Sequence, residues 1–150
     1  MPGGAIAVAS DHAGFDLKEI LKRDLQEAGH EVFDLGTNSS TQSVDYPDFG
    51  KAVADAVASG KAERGVLVCG TGIGISMAAN RNPKVRAAVV HDVTSARLAR
   101  AHNDANVVAF GQRLTGTETA REALKVFFDT KWEGGRHAAR VAKLSKGCRI

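Results

Sequence analysis

Apolar residues follow two alternating patterns along the chain, short continuous runs and longer stretches of helical spacing. The first run spans residues 5–9. It is followed by a segment whose apolar residues recur three or four positions apart: Phe15, Leu17, Ile20, Leu21 and Leu25. This order predicts a strand and then an amphipathic helix, which Gly29 ends.

The same alternation continues to the C-terminus. It predicts further strands over 31–35, 65–69, 86–90 and 106–110. It predicts further helices beginning near Pro47, over 76–80, over 95–102 and over 117–128, where Thr117 is the expected cap. Gly134 and Gly135 precede a last, basic helix over about 136–146.

Strands that alternate with helices imply crossover connections and therefore a parallel sheet covered on both faces. We expect a three-layer, Rossmann-like α/β fold with a five-stranded parallel sheet flanked by helices and a C-terminal basic helix. Residues 1–150 are predicted to form one domain, a length that buries a sizeable core without disulfides.

The composition argues against several classes of binding partner. The net charge of +3 is too small to favour nucleic acid, and no apolar stretch is long enough to span a membrane. We therefore expect a cytoplasmic protein with no nucleic-acid or membrane partner. Cys69 and Cys148 lie in different contexts, so no disulfide is predicted, and the absence of a zinc motif predicts no metal site.

The richest segment follows the third strand and reads Cys69-Gly70-Thr71-Gly72-Ile73-Gly74. Closely spaced amides at the start of a helix favour negative charge, although glycines here can also serve only a tight turn. The segment is neither a Walker loop nor a GxGxxG fingerprint. Cys69 is either a small buried hydrophobe or a base or nucleophile beside amides that favour its thiolate form.

Other polar residues near element ends have two interpretations each. Asp11 can cap the first helix, and His102 can be a favourable charge at a helix C-terminus. Arg136, His137 and Arg140 are expected on one helix face, either as a solvated surface or as a phosphate grip. Tyr46 can be a simple packing residue.

Taken together, six segments resemble the type B ribose-5-phosphate isomerase family, which includes the galactose-6-phosphate isomerase subunits. They occur in the family's order and span nearly the whole chain. The segments are Ser10–Gly14, Asp45–Pro47, Cys69–Ser76, His102–Asn106, Phe110–Arg113 and Glu133–His137.

The resemblance implies aldose-ketose isomerisation of a phosphorylated sugar through an enediolate, without metal or organic cofactor. In the family the residue at Cys69 is the base, while Thr71 and the amides of Gly70, Gly72, Ile73 and Gly74 hold the oxyanion. A residue at His102, helped by Asp11, opens the sugar ring. The remaining positions bind the phosphate (His12, Arg113, Arg136 and Arg140) or sugar hydroxyls (Tyr46 and Asn103).

One branch of the family uses a Glu at the position of Ile75 instead of the cysteine, so this chain resembles the cysteine branch. The resemblance also implies a homodimer or homotetramer with shared sites, in which His102, Asn103 and Arg113 serve the neighbour's pocket. Ribose 5-phosphate is the expected substrate. Allose 6-phosphate, galactose 6-phosphate or erythrose 4-phosphate remain alternatives, as does a non-catalytic sugar-phosphate sensor. Cys148, His91 and Trp132 receive no role.

Overall fold

The computed structural model describes residues 4–146, where five strands alternate with six helices as the sequence predicts. The strands are β1 (Ile6–Ser10), β2 (Val32–Asp34), β3 (Arg64–Cys69), β4 (Ala87–Val89) and β5 (Val107–Gly111). The helices are α1 (Phe15–Glu27), α2 (Tyr46–Ala58), α3 (Ile73–Ala79), α4 (Val93–Ala101), α5 (Thr117–Asp129) and α6 (Ala138–Lys146). Short 3-10 turns, His12–Gly14 and Gly135–His137, lead into α1 and α6.

The five strands form one sheet in the order β2-β1-β3-β5-β4, and every pairing is parallel. Helices α1, α4 and α5 pack on one face, and α2 and α3 pack on the other. The predicted three-layer α/β fold is therefore confirmed. Chain direction across the sheet reverses after β2 and again after β4, which moves the following crossover helix to the opposite face because such crossovers are right-handed.

Burial explains why the strands and helices form where they do. All five residues of β1 are buried, as is β3 from Gly65 to Cys69, as expected for strands covered on both faces. In α1 the buried leucines Leu17, Leu21 and Leu25 are four residues apart and so share one face. Burying each such side chain contributes roughly 1.5–3 kcal/mol.

The sequence predicts the end of α1 at Gly29 and the cap of α5 at Thr117. Gly29 follows the end of α1 with a φ of 92°, a left-handed conformation that suits glycine after a helix. The prediction that Thr117 caps α5 is wrong, because Gly116 is the N-cap and Thr117 is already helical. The backbone of Gly116 is extended, and no side chain hydrogen-bonds to the helix start there.

None of the helices within residues 4–146 has the length and apolar character needed to cross a bilayer. Cys69 is a buried free cysteine. Cys148 lies outside the described residues, so the expected lack of a disulfide stays a prediction.

A buried lysine anchors the loop that leads from β2 toward α2. The Nζ atom of Lys18 donates to Asp34 Oδ1 at 2.7 Å and to the Thr37 carbonyl at 2.7 Å, and only 1% of its side chain is exposed. Lys22 donates to the second oxygen of Asp34 at 2.8 Å. Burial of Lys18 was not predicted, since a buried charge cannot be recognised from sequence without its partner.

Two opposing effects act on the pKa of Asp34. Burial raises it, but hydrogen bonds from Lys18, Lys22 and the Gly36 amide outweigh burial and hold it below the ordinary value of 3.8. A carboxyl whose pKa is lower in the folded state stabilises the fold at neutral pH. That contribution disappears as the pH falls through the folded pKa.

We expect Asp34→Asn to destabilise the protein by about 3 kcal/mol at pH 7, because it leaves the buried Lys18 ammonium without its counter-charge. Denaturant unfolding measures this loss, and the difference from the parent protein should shrink as the pH drops below about 4. Asp55→Asn is the matched control. It removes an exposed ion pair with Lys51 and should cost about 0.5 kcal/mol or less. Equal losses in the two variants would contradict this account.

Candidate active site

The direction of the chain across the sheet diverges between β1 and β3. From β1 the chain runs toward β2 on one side, and from β3 it runs toward β4 on the other. Open parallel sheets bind ligands at the carboxyl ends of the strands at such a point. The residues that follow β1, β3 and β5 meet here, as the sequence predicted.

Cys69 is the last residue of β3 and is 4% exposed. The Gly72 amide donates to its Sγ atom at 3.1 Å, and Gly72 has a left-handed φ of 77° that turns the loop back over the sulfur. The Ile73 amide donates to Thr71 Oγ1 at 3.2 Å. The predicted turn is therefore present, and two of its amides have partners within the loop; that it binds an anion stays a prediction.

Two glycines let the surrounding loops come this close. A Cβ atom on Gly14 would lie 2.5 Å from the backbone of Val68, and one on Gly111 would lie 2.5 Å from the backbone of Thr71. Neither contact is possible for a residue with a side chain unless the backbone moves. Gln112 and Arg113 also donate their amides to the carbonyls of Cys69 and Gly70, at 3.0 and 2.9 Å.

Two of the predicted binding residues pack against this loop, and a third, His12, lies in the turn between β1 and α1. The ring of Tyr46, at the start of α2, lies against Gly74, where an added Cβ would be 2.6 Å from ring carbons. The guanidinium of Arg113 lies against Gly70, with Nη1 3.2 Å from the same kind of added atom. His12 Nδ1 accepts a hydrogen bond from the Val44 amide at 3.1 Å, so in the neutral ring the proton is on Nε2.

Arg113 therefore lies beside the Cys69 loop of its own chain, and its expected contribution to a neighbour's pocket stays a prediction. The backbone explains this placement. Arg113 comes two residues after β5, and its amide bond to Gly70 holds it beside the β3 loop.

Asp11 has the capping role that was considered as an alternative to catalysis. Its Oδ1 accepts the Gly14 amide at 3.0 Å and begins the turn before α1. Its own amide donates to the Val68 carbonyl at 3.3 Å, and the residue is 7% exposed. The carboxylate is thus held next to the end of β3, beside the Cys69 loop.

The other predicted site residues lie at the opposite edge of the sheet. His102 and Asn103 follow α4 and precede β5, whereas Cys69 pairs with Gly111 at the far end of β5. A strand of five residues is about 16 Å long. Within one chain, His102 and Cys69 are therefore separated by the length of the sheet.

His137 stacks on His102, with ring centroids 4.3 Å apart and planes inclined by 17°. Because Arg136 and Arg140 come one residue before and three residues after His137, this contact brings both to the edge occupied by His102. We call His102, Asn103, Arg136 and Arg140 the distal group. We call Asp11, His12, Tyr46, Cys69, Thr71 and Arg113 the proximal group.

The expectation that Arg136, His137 and Arg140 share one face is wrong. His137 is buried, whereas both arginines are exposed. The cause is a 3-10 turn that begins after Gly134, where left-handed φ values at Gly134 and Gly135 redirect the chain. Burial lowers the pKa of His137, and the charges of His102 and Arg136 lower it further.

No separate role was predicted for His137 or for Glu133. Glu133 Oε1 lies 3.8 Å from His137 Nε2. The two residues are four apart, a spacing that usually signals a shared helix face. The intervening glycines hide that signal, because they interrupt the helical pattern.

Comparison with known proteins identifies the family of this chain. A sequence model of the family described as Ribose/Galactose Isomerase matches residues 6–144. The chain is 46% identical over 140 residues to ribose-5-phosphate isomerase B of Escherichia coli, covering 93% of each protein. It is 40% identical to D-erythrulose-4-phosphate isomerase of Pectobacterium atrosepticum, covering 93% of this chain and 92% of that one.

A solved structure shares the fold. Ribose-5-phosphate isomerase B of Clostridium thermocellum superimposes with a TM-score of 0.93 at 46% sequence identity, and the match covers 95% of each chain.

Proposed function

The chain belongs to the ribose/galactose isomerase family, and on that premise we propose that it interconverts ribose 5-phosphate and ribulose 5-phosphate with Cys69 as the base. Membership makes the chain a sugar-phosphate isomerase, an enzyme rather than a non-catalytic sensor. The choice of the five-carbon substrate rests on the relatives named as ribose-5-phosphate isomerases.

The observation that carries the proposal is the placement of Cys69. Its sulfur is nearly buried, lies at the divergence of β1 and β3, and is surrounded by the polar residues of the proximal group. In the proposed reaction the sulfur removes the proton from C2 of the open-chain aldose and returns it to C1. A second proton moves from the oxygen on C2 to the oxygen on C1, so aldehyde becomes ketone without an external oxidant or reductant.

Negative charge develops on the sugar oxygens when the C2 proton leaves. Thr71 supports its stabilisation, because its oxygen accepts from Ile73 and its own hydroxyl hydrogen is left to donate. The amide of Gly72, in the same loop, donates a hydrogen bond to the sulfur of Cys69. Hydrogen-bond donors held in a nearly buried site contribute more to stabilising such charge than they would in water.

In the proximal group, His12 and Arg113 are the proposed phosphate-binding residues. The Nε2–H of neutral His12 and the guanidinium of Arg113 are both donors suited to phosphate oxygens. The ring of Tyr46 packs against Gly74, and its hydroxyl group is proposed to contact a sugar hydroxyl.

The proposed reaction also needs His102 to open the sugar ring, and the sheet separates His102 from Cys69 by about 16 Å. We therefore propose that two copies of the chain associate so that the distal group of one completes the proximal group of the other. Arg136 and Arg140 are exposed and so are available to bind the phosphate of a neighbour's substrate. Cyclic dimers repeat such a contact twice and form two equal sites.

Substrate choice is tested by incubating the purified protein with ribose 5-phosphate, erythrose 4-phosphate, allose 6-phosphate and galactose 6-phosphate, and measuring ketose formation. We expect the highest kcat/KM for ribose 5-phosphate and deuterium at C1 of the product in deuterated water. A higher kcat/KM for another aldose would change the substrate but not the reaction. Failure to turn over any of them, with no deuterium incorporation, would contradict the enzymatic proposal.

Replacing the base separates chemistry from binding. Cys69→Ala should lower kcat at least about 1000-fold, because the proton on C2 loses its acceptor, while the affinity for ribose 5-phosphate changes by less than about threefold. Steady-state kinetics and calorimetry measure the two quantities. Cys148→Ala, which changes the other cysteine, should leave kcat unchanged. If Cys69→Ala remained active, another group would have to be the base.

Site sharing is tested by mixing two inactive variants. Cys69→Ala and His102→Asn should each be inactive, but refolding them together should restore about a quarter of the parent activity. Half of the dimers would be mixed, and each of these would have one intact site. Two proximal variants, Cys69→Ala and Arg113→Ala, provide the control. Their mixed dimers should contain no intact site, so equal recovery in both mixtures would argue against sharing.

A further inference from the structure

His102, Glu133 and His137 form a compact cluster that the proposed reaction does not fully use. One nitrogen or oxygen atom from each residue lies within 4.8 Å of the others. The two imidazole rings are stacked, and the Glu133 carboxylate approaches His137 Nε2 at 3.8 Å. The three residues are spread over 36 positions of the chain, so they do not form a recognisable sequence motif.

The backbone holds these residues together. Glu133 donates its amide to the carbonyl of Ala101 at 3.0 Å, which places it beside the end of α4, where His102 is the C-cap. The His137 amide donates to the Gly134 carbonyl at 3.0 Å and closes the turn between the two. The grouping therefore depends on fixed backbone contacts as well as on side-chain positions.

The ligand set has a recognisable chemistry. Two imidazoles and a carboxylate, with an open fourth position, form a common zinc site, and imidazole also suits copper and nickel. Around one zinc ion with bonds of about 2.0–2.2 Å, ligand atoms lie roughly 3.3–3.6 Å apart. The present spacings of up to 4.8 Å would have to shorten. An imidazole nitrogen binds an ion in the plane of its ring, so one of the two stacked rings would also have to turn out of the stack. His102 is half-buried and Glu133 is exposed, so both side chains have room to rotate toward the packed His137.

We propose that His102, Glu133 and His137 bind Zn²⁺ reversibly and that the bound ion inhibits the isomerase by occupying the imidazole of His102. The ion is an inhibitor and takes no part in the reaction. The exposed guanidiniums of Arg136 and Arg140 lie on the neighbouring surface and repel a cation. The site should therefore bind zinc more weakly than a closed structural site does.

Zinc binding does not depend on the proposed function, but inhibition rests on the proposed role of His102 in ring opening. The two parts are measured separately on the full chain. Calorimetric titration with Zn²⁺, and visible absorption with Co²⁺ as a coloured substitute, report binding. Isomerase activity against Zn²⁺ concentration reports inhibition.

We expect His137→Asn and Glu133→Gln each to weaken Zn²⁺ binding at least about tenfold and to raise the inhibitory concentration in parallel, because each removes one ligand. His91→Asn removes an exposed histidine outside the cluster and is the matched control, for which both values should be unchanged. Inhibition is expressed relative to each variant's own activity without zinc.

Cys69 is the competing ligand, since thiolates bind zinc well. Zinc affinity should therefore be measured in Cys69→Ala too, where we expect it to persist. Loss of binding in Cys69→Ala with retention in the two cluster variants would place the ion on the sulfur and overturn the proposal. No detectable binding by the parent protein would overturn it as well. Binding without inhibition of an active isomerase would refute the inhibitory part.

Discussion

Parallel pairing of β3 along both of its edges is the constraint on which the rest of the molecule depends. Ser10 pairs with Val68 on one side, and Gly111 pairs with Cys69 on the other. Because the three strands run the same way and end at the same level, the segments that follow them must share one small space. Glycine at positions 14 and 111 makes that convergence possible, since any side chain there would overlap backbone atoms.

The same parallel arrangement places the polar residues of the proximal and distal groups at opposite ends of the strands. Residues that follow strands collect around Cys69, whereas residues that precede β5 or belong to the C-terminal segment collect around His102. The two groups lie at opposite ends of the strands, and no side chain is long enough to span that distance. A reaction that uses both groups would therefore need a second copy of the chain. Both proposals follow from this separation. In the shared site, the distal group of one chain meets the proximal group of another, and in the zinc cluster the ion occupies His102 of the distal group.

A buried ion pair also helps to position the loop that leads to the site. Lys18 is held by Asp34 and the Thr37 carbonyl, which secures the loop between β2 and α2 to α1. Farther along that loop, the Val44 amide donates to His12, and Tyr46 then begins α2 against Gly74. The position of two proposed substrate-binding residues therefore depends on a loop whose far end is anchored by an ion pair.

Sequence by itself determined the strand and helix order, the parallel sheet and the edge at which Cys69, Thr71, Asp11 and His12 would meet. It could do so because hydrophobic periodicity is a local signal that reports both an element and its buried face. Only the tertiary structure decided that Arg113 lies beside the Cys69 loop of its own chain, that Lys18 is buried against Asp34, and that His137 turns inward onto His102. These are contacts between side chains brought together by packing, and no local pattern encodes which distant residue will be the partner.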